Sequence, residues 1–412
     1  MKQTTKFPFM EEWRKYKLKD FIEFNPKEKV PQGELCRKIS MDQITPFTRF
    51  VESNIYEAYK GGAKFRNYDT IMARITPCLE NGKTAYISSL HPEEVAVGST
   101  EYIVLRKREN ISDSKFIFYL AISPIVRDIA IKSMVGSSGR QRVQQDVLEN
   151  YEIPIPSLPT QKNIAHILSV LDDKIELNKR INDNLEQQAQ ALFKSWFVDN
   201  PDSNWANTSL SEVASFVGGY SYKSEELTDF SNVAMATIKN FGRNRGFKAE
   251  GFKGINPSAK LKECHCVNLF DILVAHTDLT QNADVIGNAE LLLTCGKYNS
   301  IIFSMDLVKV LPKEIFPYKF LLAAMLKNKI FKGHCLGYIN GTTVLHLNKK
   351  ALPEFEIRKP SDSEAKIMNE TLAPYYKRMA KLLQETDKLI SLRDTLLPKL
   401  MSGEVKINET NN

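Results

Sequence analysis

Basic side chains interleaved with aromatic ones carry the clearest chemical signal in this sequence. Between Lys239 and Lys262, seven lysines and arginines stand against one acidic residue, Glu250, and three phenylalanines lie among them. Such a density of positive charge is typical of a surface that binds phosphates. The phosphate-binding residues predicted in this segment are Lys239, Arg243, Arg245, Lys248 and Lys253.

Two segments with the same chemistry lie in the N-terminal half. The first is more dilute and contributes Lys60, Lys64 and Arg66, with tyrosines nearby. The second, residues 136–142, combines glycines with hydroxyls and guanidinium groups, and its predicted contacts are Ser137, Arg140, Gln141 and Arg142. Arginine binds phosphate or guanine, and glutamine matches adenine. A solvated surface is the alternative for any single lysine, but the clustering favours a polyanionic partner.

Motifs that would place catalysis in this chain are missing. Residues 296–298 lack the first glycine and the hydroxyl of a Walker A loop. Residues 364–366 have the Glu-x-Lys spacing of some nucleases, but they equally suit the first turn of a helix. Cys264 and Cys266 flank His265, yet a zinc site needs a second pair of ligands. The sequence therefore predicts neither an active site nor a metal site. The enzyme alternative, a self-contained methyltransferase or nuclease, would act without partners.

Composition and charge indicate a globular protein of several domains. Of the 412 residues, 42% are hydrophobic and 25% charged, which excludes a disordered or low-complexity chain. The net charge of +7 suits a polyanionic partner without requiring one. Six scattered cysteines do not form a disulfide framework. Apolar runs are too short to span a membrane, and no secretory signal follows Met1, so we expect a cytoplasmic protein without a membrane partner.

The chain repeats itself after about 200 residues. Trp13, Leu18, Phe21 and Phe24 match Trp205, Leu210, Val213 and Phe216 at a separation of 192. Residues 68–73 match residues 270–275 at 202, and residues 147–153 match residues 351–357 at 204. Three short matches in the same order indicate two copies of one plan, with small insertions in the second copy.

Each copy is predicted to contain mixed secondary structure. Residues 68–74 and 270–276 are typical of buried strands, and residues 115–131 and 317–329 of helices. Asn81 and Gly82 predict a type I′ hairpin turn between Leu79 and Tyr86. Prolines then mark a boundary in each copy, after which Thr160, and Ser361 or Ser363, are candidate helix N-caps.

A long helix is predicted after each boundary, with apolar residues alternating at steps of four and three. Each covers about 35 residues, roughly 50 Å, which favours pairing as a coiled coil over each helix covering only its own domain. Related by a twofold-like rotation, the helices would run antiparallel. The predicted helix–helix seam consists of Ile164, Leu168, Leu171, Ile175, Asn178, Asn182, Leu185, Ala189, Leu192 and Trp196, with Met368, Leu372, Tyr375, Met379, Leu382, Thr386, Leu389, Arg393, Leu396 and Leu400.

The predicted fold class is therefore α+β, with two pseudo-symmetric α/β domains separated by two long antiparallel coiled-coil helices. The expected boundaries are residues 1–157 for the first domain, 158–199 for the central helix, 200–360 for the second domain and 361–404 for the C-terminal helix. Asn178 and Asn182 in the seam are expected to reduce stability while fixing the register.

Two segments of the helices carry a resemblance to a known family. Leu158-Pro159-Thr160-Gln161-Lys162-Asn163-Ile164-Ala165, Leu171-Asp172-Asp173-Lys174-Ile175 and the run from Ala189 to Asp199 resemble the central region of type I restriction-modification specificity subunits. Residues 392–405 resemble the C-terminal end of the same family. The strand entry that commonly reads Gly-Asp-Ile-Leu in the family has Tyr68 in one copy and Phe270 in the other instead of Gly.

The resemblance implies two target-recognition domains that each read half of a split site in double-stranded DNA, held apart by the helices. It also implies two modification subunits that bring S-adenosylmethionine and adenine-N6 methyl transfer, and restriction subunits that add translocation and cleavage with ATP and Mg. This chain would then hold no cofactor and catalyse nothing itself. The competing hypothesis is a non-catalytic coiled-coil scaffold that does not bind DNA.

Overall fold

The computed structural model describes residues 13–243 and 246–406 and shows an α+β protein. The chain folds into two compact units. The first comprises residues up to Glu176 and those from Lys388 onward, and the second comprises Leu177–Asp387. No helix among the described residues is long and apolar enough to span a membrane.

The first unit contains the first copy of the repeat. Its strands are β1 (Arg14–Lys17), β2 (Ile22–Phe24), β3 (Leu35–Ile39), β4 (Tyr56–Ala58), β5 (Lys64–Phe65), β6 (Thr70–Ala73), β7 (Thr84–Tyr86), β8 (Ala96–Gly98), β9 (Tyr102–Lys107) and β10 (Glu152–Ile155). Its helices are α1 (Leu18–Phe21), α2 (Ser114–Ile122), α3 (Pro124–Lys132), α4 (Gln145–Glu149) and the beginning of α5 (Leu158–Lys194).

The second unit repeats this order with additions. Its strands are β11 (Ala206–Ser209), β12 (Ala214–Gly218), β13 (Val233–Ala236), β14 (Lys253–Gly254), β15 (Cys266–Val267), β16 (Ile272–Ala275), β17 (Thr277–Asp278), β18 (Ala289–Leu291), β19 (Ser300–Phe303), β20 (Leu307–Pro312), β21 (Ile339–Asn340), β22 (Leu345–Leu347) and β23 (Glu356–Lys359). Its helices are α6 (Leu210–Val213), α7 (Lys319–Leu326), α8 (Lys329–Leu336) and most of α9 (Asp362–Met401). A π-helical turn, Ser195–Asp199, follows α5.

The sheets of the two units have the same strand order. In the first unit the orders are β2-β9-β6-β7 and β4-β3-β8-β5, and in the second they are β12-β20-β16-β18 and β14-β13-β19-β15. A two-stranded pair, β1-β10 or β11-β23, completes each unit, and the second unit adds β17-β22-β21. The repeat predicted from the sequence is therefore present in the topology.

The central strand of each unit is buried on both faces. On β6, Met72 packs with the helices while Ile71 packs toward the second sheet, and on β16 Val274 and Leu273 divide in the same way. Strands covered on both faces are apolar throughout rather than alternating. This explains the two apolar segments, and the strands predicted there are confirmed.

The predicted hairpin at Asn81 and Gly82 is wrong. Residues 74–83 connect β6 to β7, and Gly82 takes a positive φ of 75° while Asn81 does not. The positive φ favours glycine at this position, and a Cβ atom on Gly82 would lie 2.5 Å from the exposed ring of Phe47.

The helix predicted at residues 115–131 is split in two, whereas the one predicted at 317–329 corresponds to α7 alone and a second helix, α8, follows it. Pro124 begins α3 and forces the preceding Ser123 into an extended conformation, which ends α2. In the second copy α7 ends before Asn328, whose side chain caps α8 by accepting from the amides of Ile330 and Phe331.

One predicted N-cap is displaced and the other is confirmed. Helix α5 begins at Leu158, and the hydroxyl of Ser157 accepts from the amide of Thr160 at 3.4 Å, so Thr160 lies inside the first turn. Proline is tolerated in that turn, and the prediction overlooked this for Pro159. Ser361 caps α9 as expected, with Glu364 completing a reciprocal capping box.

The two long helices run antiparallel. In the second unit the amide of Asn178 on α5 donates to Thr386 on α9 at 3.3 Å, and Glu186, further along α5, is near Tyr376, which precedes Thr386. Every predicted seam position is buried or half-buried. The most buried of them are Ile164, Leu168, Asn178, Ala189, Leu372, Met379, Leu382, Arg393 and Leu400.

Candidate nucleic-acid interface

The carboxyl ends of three strands meet at one edge of the second unit. The amide of Ser304 donates to Ala236, and the amide of His276 donates to Asp306, which joins the ends of β13, β16 and the β19–β20 turn. Pairing of β17 with β22 brings the β21–β22 hairpin to the same edge. We call this the second loop edge, formed by residues 237–243, 246–252, 277–288, 304–306 and 339–347.

A buried carboxylate organises the loop that follows β17. Asp278 is 1% exposed, and its oxygens accept from the amide and hydroxyl of Thr280, both at 2.8 Å, and from the amides of Val285 and Ile286. Burial opposes ionisation, but these donors outweigh it and lower the pKa of Asp278. The loop is therefore held closed by one ionised side chain.

Neighbouring segments of the second loop edge are bonded to this loop. Gln281 donates through Nε2 to the carbonyl oxygen of Thr342 at 2.7 Å, at the tip of the β21–β22 hairpin. Arg243, from the basic segment, lies 3.5 Å from the carboxylate of Asp284. Gln281 and Arg243 are exposed. The second loop edge therefore presents exposed polar side chains on loops that are hydrogen-bonded to one another.

The first unit has the corresponding edge, formed by residues 74–83, 99–101 and 134–143. Arg142 makes isolated β-bridges with Ile75 and with Val135, which is the pattern that β22 makes with β17 and β21. Thr76 and Gln141 also exchange backbone and hydroxyl hydrogen bonds of 2.8 to 3.1 Å. We call this surface the first loop edge.

Arg142 is held by a carboxylate within the first loop edge. Its guanidinium donates to both oxygens of Glu101 at 2.6 to 3.0 Å, and this hydrogen bonding lowers the pKa of Glu101. Ser137 and Arg140 are exposed at the tip of the same loop, whereas Gln141 is half-buried. The structure therefore brings the predicted residues 137–142 together, with Arg142 fixing the base of the loop.

The other basic residues predicted in the first copy are dispersed. Lys64 donates to the carbonyl oxygen of Glu28 at 3.0 Å and lies over the ring of Tyr59. Arg66 pairs with Glu28 and Glu93, near the amino end of β6 and so at the opposite end of this strand from the first loop edge. Lys60 is exposed. Arg66 therefore lies apart from residues 137–142.

The basic residues predicted in the second copy gather near the second loop edge. Lys239 and Lys248 are exposed, and among the described residues no ion pair engages either. Lys253 lies on β14 and is half-buried. Arg245 lies outside the described residues. The prediction that these side chains contact phosphates stays a prediction.

Sequence reasoning missed the polar tips of the second loop edge, namely Gln281, Asn282, Thr342 and Thr343. For Thr342 and Thr343 the sequence contained a signal, because the repeat separation of 204 residues aligns Arg142 of the predicted DNA-binding loop with His346. That mapping aligns residues 136–142 with residues 340–346. The aligned segments differ in composition, so residue type alone did not reveal them.

Metal ligands do not cluster in the part of the chain that the structure describes, where no three His, Cys, Asp or Glu side chains come together as a metal site would need. Cys264 is exposed, and the ring nitrogen of His265 accepts from the amide of Lys262 at 3.2 Å.

Comparison with known proteins agrees with the topology. A family model described as the type I restriction modification DNA specificity domain matches residues 10–187. The specificity subunit of the type I restriction enzyme HindI of Haemophilus influenzae is 26% identical over 403 residues, covering 82% of this chain and 86% of that protein. The MjaIX specificity subunit of Methanocaldococcus jannaschii is 24% identical, covering 72% and 70%.

A solved structure shares the fold. The S subunit of a type I restriction-modification system from M. genitalium superposes with a TM-score of 0.54 at 16% identity, covering 94% of this chain and 96% of that one. This likeness agrees with the duplicated topology. Over most of its length the chain is similar to the specificity subunits of type I restriction-modification systems.

Proposed function

We propose that this chain is the DNA-specificity subunit of a type I restriction-modification complex, reading a site in two halves. The observation that carries the proposal is the pair of loop edges, which occupy the same topological position in two copies of one fold. Two copies of one DNA-binding domain suit a DNA site in two halves, because each copy can contact one half.

Each loop edge would make two kinds of contact with DNA, one to the bases and one to the phosphates. Exposed polar tips reach base edges in the grooves and supply specificity. Basic residues around them, such as Arg140, Lys239, Arg243 and Lys248, bind phosphates, which gives affinity that falls steeply with salt. The domain boundaries at residues 157, 199, 360 and 404 remain part of the proposal.

Catalysis belongs to partners in this proposal. Two modification subunits would bind S-adenosylmethionine and methylate adenine, and restriction subunits would use ATP and Mg to translocate and cleave. This chain would direct both activities without catalysing either, in the cytoplasm where these partners and the DNA meet. A scaffold that does not bind DNA is not favoured, since the relatives are named as specificity subunits.

The test is methylome sequencing of a host that expresses this chain with its neighbouring modification subunit. The control strain lacks only this chain. We expect a new N6-methyladenine motif in two halves with a fixed unspecified spacer. Absence of any new motif, when the modification subunit is active beside another specificity subunit, would favour the scaffold.

A further inference from the structure

The side chain of Gln281 is exposed at the second loop edge and is hydrogen-bonded to the β21–β22 hairpin. Its Nε2 lies 2.7 Å from the carbonyl oxygen of Thr342 and 3.5 Å from that of Thr343, 61 and 62 residues away in the sequence. One N–H of the amide is therefore directed at the hairpin. The other N–H and the side-chain oxygen remain for a ligand.

The backbone that carries Gln281 is equally fixed. Asp278 closes the loop through four hydrogen bonds. On its far side, Lys332 donates to the carbonyl oxygen of Asp284 at 2.7 Å and to the side chain of Asn288 at 2.9 Å. A side chain whose position is set before binding loses less conformational entropy when it binds, which raises affinity, and its fixed geometry favours ligands with matching groups.

The oxygen of a side-chain amide and the N–H on the same side of the group form an acceptor beside a donor on one edge of its plane. Adenine presents the complementary pair, N7 as acceptor and N6 as donor, in the major groove. Guanine presents two acceptors there, and cytosine and thymine present no such pair. The chemistry of the held amide therefore matches adenine.

We propose that Gln281, positioned by the hairpin carbonyl of Thr342, reads an adenine in the half-site recognised by the second unit. This inference rests on the proposed function. Arg243, 75% exposed beside Asp284, supplies a phosphate contact next to the base that is read. Asn282 follows Gln281 at the tip and is also exposed.

The experiment compares methylomes of hosts that express the wild-type chain, Gln281→Ala or Gln281→Arg, each with the modification subunit. We expect Gln281→Ala to reduce discrimination for adenine about tenfold or more at one position, while the other half-site is unchanged. Gln281→Arg should convert the preference at that position toward guanine, because arginine pairs with its two acceptors. A residue that only braced the hairpin would not produce a new preference.

Asn232→Ala is the matched control. Asn232 is an exposed amide that precedes β13, at the opposite end of that strand from the second loop edge. Its substitution should leave the motif unchanged. In binding assays on the purified complex, Arg243→Ala should reduce the salt slope by about one charge, whereas Gln281→Ala should not alter it.

Three outcomes would overturn the assignment. They are an unaltered motif with Gln281→Ala, the same relaxation with Asn232→Ala, and loss of all methylation by an intact complex carrying Gln281→Ala. Failure of the proposed function gives a different result, because the wild-type chain itself would then produce no split motif.

Discussion

Buried charged side chains connect the long helices to the sheet domain inside each unit. In the second unit, Lys327 at the end of α7 lies 3.0 Å from Glu186 on α5 and 2.7 Å from Glu290 on β18. Glu290 also accepts from the amide of Gly246 at 2.6 Å. Burial alone would lower the pKa of Lys327, but the two carboxylates outweigh it and raise the pKa.

Replacing Lys327 with Met should lower the free energy of unfolding by about 3 to 5 kcal/mol, because it leaves the buried carboxylate of Glu290 without its cation. Lys329→Met, at an exposed position two residues further on, is the control and should change it by less than about 0.5 kcal/mol. Urea denaturation of the complex, followed at constant concentration, measures both. Equal midpoints for the two variants would show that the ion pair contributes nothing.

The first unit has a different buried network at the same kind of junction. Asp172 on α5 accepts from the hydroxyl of Tyr119 at 2.6 Å and from Arg393 on α9 at 2.9 Å. Arg49 pairs with the neighbouring Asp173. Burial and then the carboxylate of Asp172 raise the pKa of Tyr119, which keeps its hydroxyl protonated as a donor.

At the scale of elements, the helix pair contains a polar position within its apolar seam. Asn178 is 0% exposed and donates to Glu385 at 3.1 Å and to Thr386 at 3.3 Å. Its side-chain oxygen has no hydrogen-bond partner among the described residues. A buried oxygen without a partner costs stability, and polar seam residues of this kind specify register.

The double substitution Asn178→Leu with Thr386→Val should raise the free energy of unfolding by about 1 to 2 kcal/mol, since both polar groups are replaced by apolar ones. Asn184→Leu, at an exposed position on the same helix, is the control and should not stabilise. Thermal unfolding monitored by circular dichroism measures the change. A lower melting temperature for the double variant would mean that the pair is net stabilising.

The residue two positions before each central strand has the same backbone conformation in both copies, although its type differs. Tyr68 has a φ of 73° and Phe270 a φ of 70°. Glycine, common here in the family, adopts this conformation without strain, and aromatic residues rarely do. The following aspartates, Asp69 and Asp271, each accept from a backbone amide three residues earlier, which holds the turn in place.

At the scale of the whole molecule, the two units are independent copies with their own cores. Replacing residues 1–155 with those of another specificity subunit should change one half of the methylated motif and leave the other half as it was. The donor must keep counterparts of Arg49 and Tyr119, because these bind Asp173 and Asp172 on the retained helix. Methylome sequencing reads the result, and a change in both halves would refute independent recognition.

The sequence by itself determined the repeat, the buried strands and the long amphipathic helices. Each of these follows from hydrophobic period or from separation along the chain, which are local and countable properties. The sequence also carried the resemblance to the family, through the segments at the ends of the helices. The prediction of a type I′ hairpin turn at Asn81 and Gly82 was wrong, because a turn-forming residue pair does not show whether a strand lies directly on each side of it.

Only the tertiary structure decided which loops meet. Gln281 contacts Thr342 61 residues away, and Arg142 is held by Glu101, 41 residues earlier. Arg66, predicted beside the other basic residues, pairs with carboxylates near the amino end of its strand. Hydrophobic period fixes which face of a strand is buried, but strand order fixes which ends lie together, and that order depends on pairings between distant segments.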